Sequence, residues 1–126
     1  MITILFIEDD LSIREAMHLI FVEPEYRLII CSCPEEVISN NMLVPDVYLI
    51  DKQLSGFDGL ELCRKLKSLE KTKNVPVVML SAAPNIKQMA AEAGADYAVE
   101  KPFKVQLLKE KIDLAYRVSI MGSYRY

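Results

Sequence analysis

The feature that most constrains the fold of this chain is the segment Val47–Asp51, in which four apolar residues run without interruption into one carboxylate. A run of this length, without polar alternation and with Pro45 just before it, is typical of a strand buried on both faces of a parallel sheet. A lone buried charge is costly unless it is paired or bound to a metal. We therefore expect Asp51 at the carboxyl end of a strand, where a cleft can open. The alternative is that Asp51 only starts a loop or caps the next turn.

Four further apolar runs alternate with segments of helical spacing. The five predicted strands span residues 2–7, 26–31, 46–50, 75–80 and 97–99. Strands joined by helical crossovers must be parallel, and the crossovers are right-handed. The pattern therefore predicts the α/β class, with a doubly wound five-stranded parallel sheet in a three-layer sandwich.

The predicted helices carry recognisable start and stop signals. Ser12 and Glu15 have the form of a capping box at the start of the first helix. Pro34 suits the first turn of the second helix, and Gly59 precedes the third. Gly94 is placed to end the fourth. The fifth helix is predicted from about residue 104 to 120, with four inward side chains: Leu107, Leu108, Ile112 and Ala115.

Composition excludes several classes of function. The 126 residues suffice for one domain, and the 52% hydrophobic and 26% charged fractions are typical of a soluble globular protein. A net charge of −3 without a Lys/Arg stripe argues against direct nucleic-acid binding. No apolar run approaches the roughly 20 residues of a membrane span, and the start lacks the basic segment of a signal peptide. The three cysteines, with Cys31 and Cys33 only two apart, are expected to be reduced thiols of a cytoplasmic protein.

Polar side chains stand at the carboxyl ends of four predicted strands. Glu8 and Asp9 follow the first strand, Asp51 the third, Ser81 the fourth and Lys101 the fifth. Ligands of open parallel sheets bind beyond these strand ends, so we expect the five side chains at one cleft. Clustered carboxylates favour a divalent cation, and Mg²⁺ fits best because it takes one or two carboxylates, water and a phosphate-like ligand. With a hydroxyl and an ammonium opposite, the set predicts a carboxylate that becomes phosphorylated. Taken singly, each group has a structural alternative, such as an acidic helix start, a loop cap or a turn.

These motifs resemble the receiver domain of the bacterial two-component response-regulator family over essentially the whole chain. The segments that carry the resemblance are residues 5–10 (LFIEDD), 45–51 (PDVYLID), 56–59 (GFDG), 75–82 (VPVVMLSA), 93–96 (AGAD) and 101–103 (KPF). The resemblance implies a flavodoxin-like sheet of strand order 2-1-3-4-5. It also implies a phosphorylation-dependent signalling switch in a phosphorelay, not an enzyme beyond its own phosphoryl transfer and dephosphorylation.

The resemblance also implies roles for the strand-end residues. Asp51 would accept a phosphoryl group from a phosphohistidine on a histidine kinase or a phosphotransfer protein. Mg²⁺ would be held by Glu8, Asp9, Asp51 and the backbone carbonyl of Gln53. Lys101, before a cis bond to Pro102, would pair with the phosphoryl oxygens. The Ser81 hydroxyl would bond one of those oxygens.

Three neighbouring residues are expected to modulate the lifetime and accessibility of the phosphoryl group. Gln53 and Ala83 would flank the path of an attacking water, and the small Ala82 would leave the site open to a donor. The chain departs from the family pattern in the loop after Asp51, where Ser55 stands in place of a proline.

The position of the family's switch aromatic, three residues before Lys101, holds Ala98. Tyr97 precedes it, and a step of one residue on a strand faces the opposite side of the sheet. Either Tyr97 substitutes through a local bulge, or the output surface is read without an aromatic movement.

The domain organisation expected is a receiver domain over residues 1–120 and a short tail over 121–126, with no output domain. Partners would be the kinase or phosphotransfer protein and an unknown downstream effector, and the chain would be a monomer or weak homodimer. One alternative is a receiver-fold docking module that phosphorylation does not regulate. Another is an aspartyl-phosphate hydrolase of the haloacid-dehalogenase kind, although residues 51–53 lack its second Asp. A flavodoxin-like electron carrier would need a phosphate-binding loop where Glu8 and Asp9 stand.

Overall fold

The computed structural model describes residues 1–39, 43–54 and 57–123. Strands and helices alternate along them. The elements, in chain order, are β1 (Ile2–Ile7), α1 (Leu11–Ile20), β2 (Tyr26–Cys31), α2 (Pro34–Val37), β3 (Val47–Asp51), β4 (Gln53–Leu54), β5 (Phe57–Asp58), α3 (Gly59–Ser68), β6 (Val77–Ser81), α4 (Ile86–Glu92), β7 (Tyr97–Glu100) and α5 (Val105–Ser123).

Five of these strands form one parallel sheet in the order β2-β1-β3-β6-β7. Counted without the short β4-β5 pair, which is antiparallel, this is the order 2-1-3-4-5. The register pairs Ile7 with Ile50, Asp51 with Leu80, and Ser81 with Glu100. The predicted fold is therefore confirmed, and the register aligns the carboxyl ends of β1, β3, β6 and β7 at one edge.

The sheet is covered by helices on both faces, which explains why β3 is apolar at successive positions. Tyr48 and Ile50 point into a core shared with α2, α3 and α4. Val47 and Leu49 point into the core shared with α1 and α5. Because both faces of β3 exclude water, strict alternation with polar residues would leave buried polar groups unpaired.

Two details of the predicted helices are wrong. The cap of α1 is Asp10, whose carboxylate accepts hydrogen bonds from the backbone N–H of Ser12 at 2.9 Å and of Ile13 at 3.2 Å. The helix therefore begins before Ser12, and the expected capping box does not form. On α5, Leu107 is 42% exposed, whereas Leu108 is fully buried. A step of one residue rotates the side chain about 100° around a helix, so both leucines cannot face the core.

Other local predictions are confirmed. Pro34 lies in the first turn of α2, and Gly94 follows α4 with a φ of 89°. Cys31, Cys33 and Cys63 are free thiols. The helix α5 extends to Ser123, beyond the predicted end at residue 120. No helix in the described ranges combines the length and the apolar character needed to cross a bilayer.

The start of α3 lies directly against the end of β3, and this contact requires a glycine. The backbone N–H of Gly59 donates to the carbonyl of Lys52 at 2.7 Å. A Cβ at Gly59 would lie 2.2 Å from the carbonyl oxygen of Asp51 and 2.9 Å from the Cα of Lys52. Both contacts are with backbone, so a larger residue must move either α3 or the carboxyl end of β3.

We expect Gly59→Ala to lower the free energy of unfolding by about 2–3 kcal/mol, because overpacking against backbone cannot be relieved by a rotamer change. Urea denaturation followed by far-UV circular dichroism measures this. Gly122→Ala is the matched control, since a Cβ there meets nothing within 4 Å. It should stabilise the protein by roughly 0.5–1 kcal/mol through its higher helix propensity. A Gly59→Ala protein as stable as the unmodified chain would contradict the close approach described here.

Candidate functional site

A pocket of about 420 Å³ opens beyond the carboxyl ends of the sheet strands. It contains every strand-end side chain that the sequence singled out, together with residues of the loops that follow. The lining residues are Glu8, Asp9, Asp10, Ile13, Asp51, Lys52, Ser81, Ala82, Ala83 and Lys101. The parallel register brings these groups together although they lie far apart in the sequence.

Two of the carboxylates in the pocket are withdrawn from solvent. Glu8 and Asp51 are each 4% exposed, whereas Asp9 is exposed. Burial raises the pKa of Glu8, and the negative charges of Asp51 and Asp9 add to the effect. The hydrogen bond that Glu8 accepts from the Asp10 N–H and the charge of Lys101 oppose it. The pocket therefore favours uptake of a positive charge beside Glu8, either a proton or a cation.

Asp51 is paired with Lys101 across the pocket. The Lys101 ammonium donates a hydrogen bond to Asp51 Oδ2 and forms an ion pair with it. The backbone N–H of Lys101 donates to the carbonyl of Ser81 at 2.8 Å, which ties the loop after β7 to the end of β6. The Lys101-Pro102 bond is cis, as the family resemblance implies. The ammonium is thus held at the carboxylate that the sequence predicts to be phosphorylated.

Ser81 supplies a buried hydroxyl at the end of β6. It is 4% exposed, and its Oγ accepts a hydrogen bond from the backbone N–H of Ala83 at 2.9 Å. Ala82 is exposed and Ala83 is half-buried, and both line the pocket. Small side chains therefore border the Ser81 side of the opening.

The donor set suits Mg²⁺ in its chemistry. Glu8, Asp9 and Asp51 provide the hard carboxylate oxygens that Mg²⁺ prefers. Across the described ranges, no three His, Cys, Asp or Glu side chains are grouped closely enough to surround an ion by themselves. A cation bound there would therefore need water or other oxygens to complete its ligands. Gln53 lies in β4, two residues beyond Asp51, and the role of its carbonyl stays a prediction.

Tyr97 and Ala98 lie on opposite faces of the sheet. The ladder from β6 to β7 runs without a bulge, pairing Val78 with Tyr97 and Met79 with Ala98. Tyr97 packs in the core shared with α1 and α5, and the Lys111 ammonium lies 5.6 Å from the centre of its ring. Ala98 packs in the other core, on the face of Met79. Of the two alternatives, the local bulge that would let Tyr97 replace the switch aromatic is therefore not observed.

The sequence analysis missed two charged residues of the pocket. Asp10 follows Glu8 and Asp9 directly, but no role was predicted for it, and in the structure its carboxylate caps α1. No role was predicted for Lys52 either, although it follows Asp51 directly. β3 ends at Asp51, and the chain bends at Lys52. Its position directly after the strand end was the signal available in the sequence. Ser55, the expected departure from the family pattern, lies outside the described residues.

The fold and the pocket define a doubly wound α/β domain with an acidic site at its strand ends. The sequence model of the response regulator receiver domain matches residues 4–113. The chain therefore belongs to the response regulator receiver domain family of two-component signalling.

Individual relatives agree with this assignment. The chain is 38% identical over 119 residues to the transcriptional regulatory protein CseB of Streptomyces coelicolor, covering 90% of this chain and 49% of CseB. A crystal structure of a putative response regulator from Chloroflexus aurantiacus matches with a TM-score of 0.82 at 29% identity, covering 92% of this chain and 98% of that one. The chain spans about half or less of the length of the curated relatives it matches.

A further solved structure shares the fold and was determined with a metal. It is the receiver domain of the sensor histidine kinase PA1611 from Pseudomonas aeruginosa, with a magnesium ion coordinated in its active site cleft. Its TM-score is 0.78 at 23% identity, covering 91% of this chain and 97% of that one. At this identity the likeness shows the fold.

The raised pKa of Glu8 gives a stability prediction. A carboxyl group whose pKa is raised on folding contributes stability that is fully present below its unfolded pKa and is lost as pH rises through the folded pKa. Glu8→Gln removes the buried charge, so in chelator-treated buffer at pH 7 it should unfold at higher urea concentration than the unmodified protein. The difference should shrink as pH falls toward the ordinary glutamate pKa of about 4.3.

Glu110→Gln is the control for this measurement, because Glu110 is an exposed carboxylate of α5 outside the pocket. It should leave the urea midpoint nearly unchanged at both pH values. A Glu8→Gln protein that is less stable than the unmodified chain at pH 7 would contradict the electrostatic account of the pocket.

Proposed function

We propose that this domain is a phosphorylation-dependent switch that accepts a phosphoryl group on Asp51 from a phosphohistidine of a histidine kinase or phosphotransfer protein. The observation that carries the proposal is the position of Asp51. Its buried carboxylate lies in the pocket with Glu8 and Asp9, and Lys101 is paired to it. A carboxylate that accepts a phosphoryl group needs access to the donor and nearby positive charge, and the position of Asp51 in this pocket provides both.

Each side chain has a distinct part in the proposed transfer. Asp51 attacks phosphorus with one carboxylate oxygen, while Lys101 stabilises the charge that accumulates on the phosphoryl oxygens. The Ser81 hydroxyl, which accepts from Ala83 N–H, has a proton to donate to a phosphoryl oxygen. Glu8, Asp9, Asp51 and the Gln53 carbonyl would hold Mg²⁺ with the help of water, and the ion would neutralise negative charge on the phosphoryl group. The magnesium described in the PA1611 receiver domain supports this assignment.

The lifetime of the phosphoryl group would be set by the residues around the opening. Ala82 and Ala83 leave the Ser81 side unobstructed, which admits both a donor and an attacking water. Gln53 is the polar residue proposed to orient or obstruct that water. Because Tyr97 packs on the face away from Ser81, we propose that the output surface responds without an aromatic movement.

The wider setting is proposed from the relatives. CseB is a transcriptional regulatory protein about twice the length covered here, so this domain would act on an effector or output region that reads its state. We propose a cytoplasmic receiver domain over residues 1–120 with a tail over 121–126, monomeric or weakly dimeric. It would not turn over substrates beyond its own phosphoryl group.

Two alternative functions, a docking module and a phosphohydrolase, would give different experimental results. A docking module without phosphorylation would share the fold and bind its partner irrespective of Asp51 chemistry. The docking module is favoured by one observation: Tyr97 packs on the face of the sheet away from Ser81, so it cannot respond to a movement of the Ser81 hydroxyl. A phosphohydrolase would need a second acid two residues after the nucleophile, where this chain has Gln53.

The central prediction is that Mg²⁺ and acetyl phosphate add one phosphoryl group to the protein, detected by intact mass. Asp51→Asn should abolish the added mass, because the amide is not a nucleophile at this step. Asp58→Asn is the matched control. Asp58 caps α3 by accepting from the Leu60 N–H at 2.9 Å, and Asn caps almost as well. This variant should be phosphorylated like the unmodified protein.

The outcomes separate the candidate functions. Labelling that persists in Asp51→Asn would assign the acceptor to another residue. A folded protein that binds Mg²⁺ but gains no phosphoryl mass from acetyl phosphate or from a phosphorylated histidine kinase would favour the docking module. Continuous release of inorganic phosphate from a phosphomonoester would favour the hydrolase.

A further inference from the structure

We propose that Lys52 is a second phosphate-binding cation of the pocket, which captures the anionic phosphodonor before transfer to Asp51. The inference rests on the proposed function of Asp51 and extends it to a residue that directly contacts the donor. It identifies the donor as a multiply charged phosphate compound whose capture depends on charge.

The backbone holds Lys52 at the edge of the pocket from both sides. Its N–H donates to the carbonyl of Leu80 at 2.8 Å, and its carbonyl accepts from the N–H of Gly59 at 2.7 Å. These bonds connect it to β6 and to the start of α3. The residue is half-buried and lines the pocket with Asp51 and Lys101. Its position is therefore fixed by the same contacts that fix the end of β3.

The two lysines of the pocket are differently engaged. Lys101 is ion-paired with Asp51, so its charge is already compensated. Lys52 forms no ion pair with any carboxylate of the described residues. Of the two lysines that line the pocket, Lys52 is therefore the one whose charge is not paired with a described carboxylate, and the proposal assigns that charge to an incoming anion.

The charge balance of the pocket shows why such a cation matters. Four carboxylates line it (Glu8, Asp9, Asp10 and Asp51), against the two ammonium groups of Lys52 and Lys101. The metal-free pocket therefore repels a phosphate dianion, and a bound Mg²⁺ brings the sum of these charges only to zero, so the charge of Lys52 raises the rate of encounter in either state. One ammonium about 6 Å from a dianion changes its local concentration by roughly three- to tenfold in water at low salt.

The transfer itself is balanced without any further reactant. An Asp51 carboxylate oxygen forms the new bond to phosphorus. The bond between phosphorus and the leaving oxygen of acetyl phosphate breaks, and acetate departs with that electron pair. Lys52 acts on the donor phosphate by charge, and it takes no proton in this step.

The test compares the second-order rate of phosphorylation by acetyl phosphate in Mg²⁺ at low ionic strength, followed by intact mass. Lys52→Gln should slow it about three- to tenfold, and Lys52→Arg should stay within about twofold of the unmodified protein because the charge is kept. Lys65→Gln is the matched control, since Lys65 is an exposed lysine of α3 outside the pocket. Near 1 M salt, where the screening length is about 3 Å, the deficit of Lys52→Gln should largely disappear.

A second measurement distinguishes a charge effect from structural damage. Removing a cation from an acidic pocket should strengthen binding of Mg²⁺, so Lys52→Gln should bind the metal about two- to fivefold more tightly by isothermal titration calorimetry. Slower phosphorylation together with tighter Mg²⁺ binding is the expected pair of results, because a distorted pocket would weaken both.

Other results would overturn the inference. Equal phosphorylation rates for Lys52→Gln, Lys65→Gln and the unmodified protein at low salt would show that Lys52 does not contact the donor, while leaving the function of Asp51 intact. An equally slow Lys52→Arg protein, or a deficit that salt does not reduce, would show that charge is not the cause. An unmodified protein that gains no more phosphoryl mass than Asp51→Asn would overturn the proposed function and this inference together.

Discussion

The structure depends on the ion pair between Lys101 and the buried carboxylate of Asp51 at the end of β3. Four residues of this strand are buried against helices on both faces, and the fifth, Asp51, is a carboxylate that is almost as buried. A carboxylate withdrawn from water is stable only with compensating positive charge or hydrogen bonds. Lys101 provides that compensation from the loop directly after β7, a strand that lies two positions from β3 in the sheet. The central strand, the edge strand and the loop beyond it are thereby held to one another.

The rest of the pocket follows from the same constraint. Glu8 directly follows β1 and lies in the pocket with Asp51. Burial raises the pKa of Glu8, and the negative charge of Asp51 adds to this effect. A cation bound near these carboxylates would stabilise the site. An anion can bind there only if the pocket also contains positive charge. Lys101 and Lys52 provide that charge. The pocket is thus arranged to hold opposite charges side by side, as transfer of a phosphoryl group to a carboxylate requires.

The main departure of this domain from its family lies on β7, at the position of the switch aromatic. Within the site, the expected strand-end residues Glu8, Asp9, Asp51, Ser81 and Lys101 line the same cavity. At β7, by contrast, an alanine occupies the position of the switch aromatic, and the neighbouring tyrosine packs on the opposite face beneath Lys111. A ring fixed between β7 and α5 cannot follow a hydroxyl that lies on the other face of the sheet. The residues of the pocket thus match the family pattern, whereas the residue at the switch position does not.

The sequence by itself determined the order of the elements, because uninterrupted apolar runs and helical periodicity are local consequences of which faces are buried. It also determined which residue types stand at or next to the strand ends. The bounds of strands 2–7 and 26–31 were predicted correctly, whereas the strands predicted at 46–50, 75–80 and 97–99 are observed at Val47–Asp51, Val77–Ser81 and Tyr97–Glu100. Only the tertiary structure decided what depends on a rotation of one residue or on backbone bending. In the structure Leu107 is exposed and Asp10 caps α1. Tyr97 lies on the face of the sheet away from Ser81, and Lys52 lines the pocket. The cap of Asp10 is a local contact, but the bend at Lys52 depends on contacts between distant segments, such as Gly59 against the end of β3.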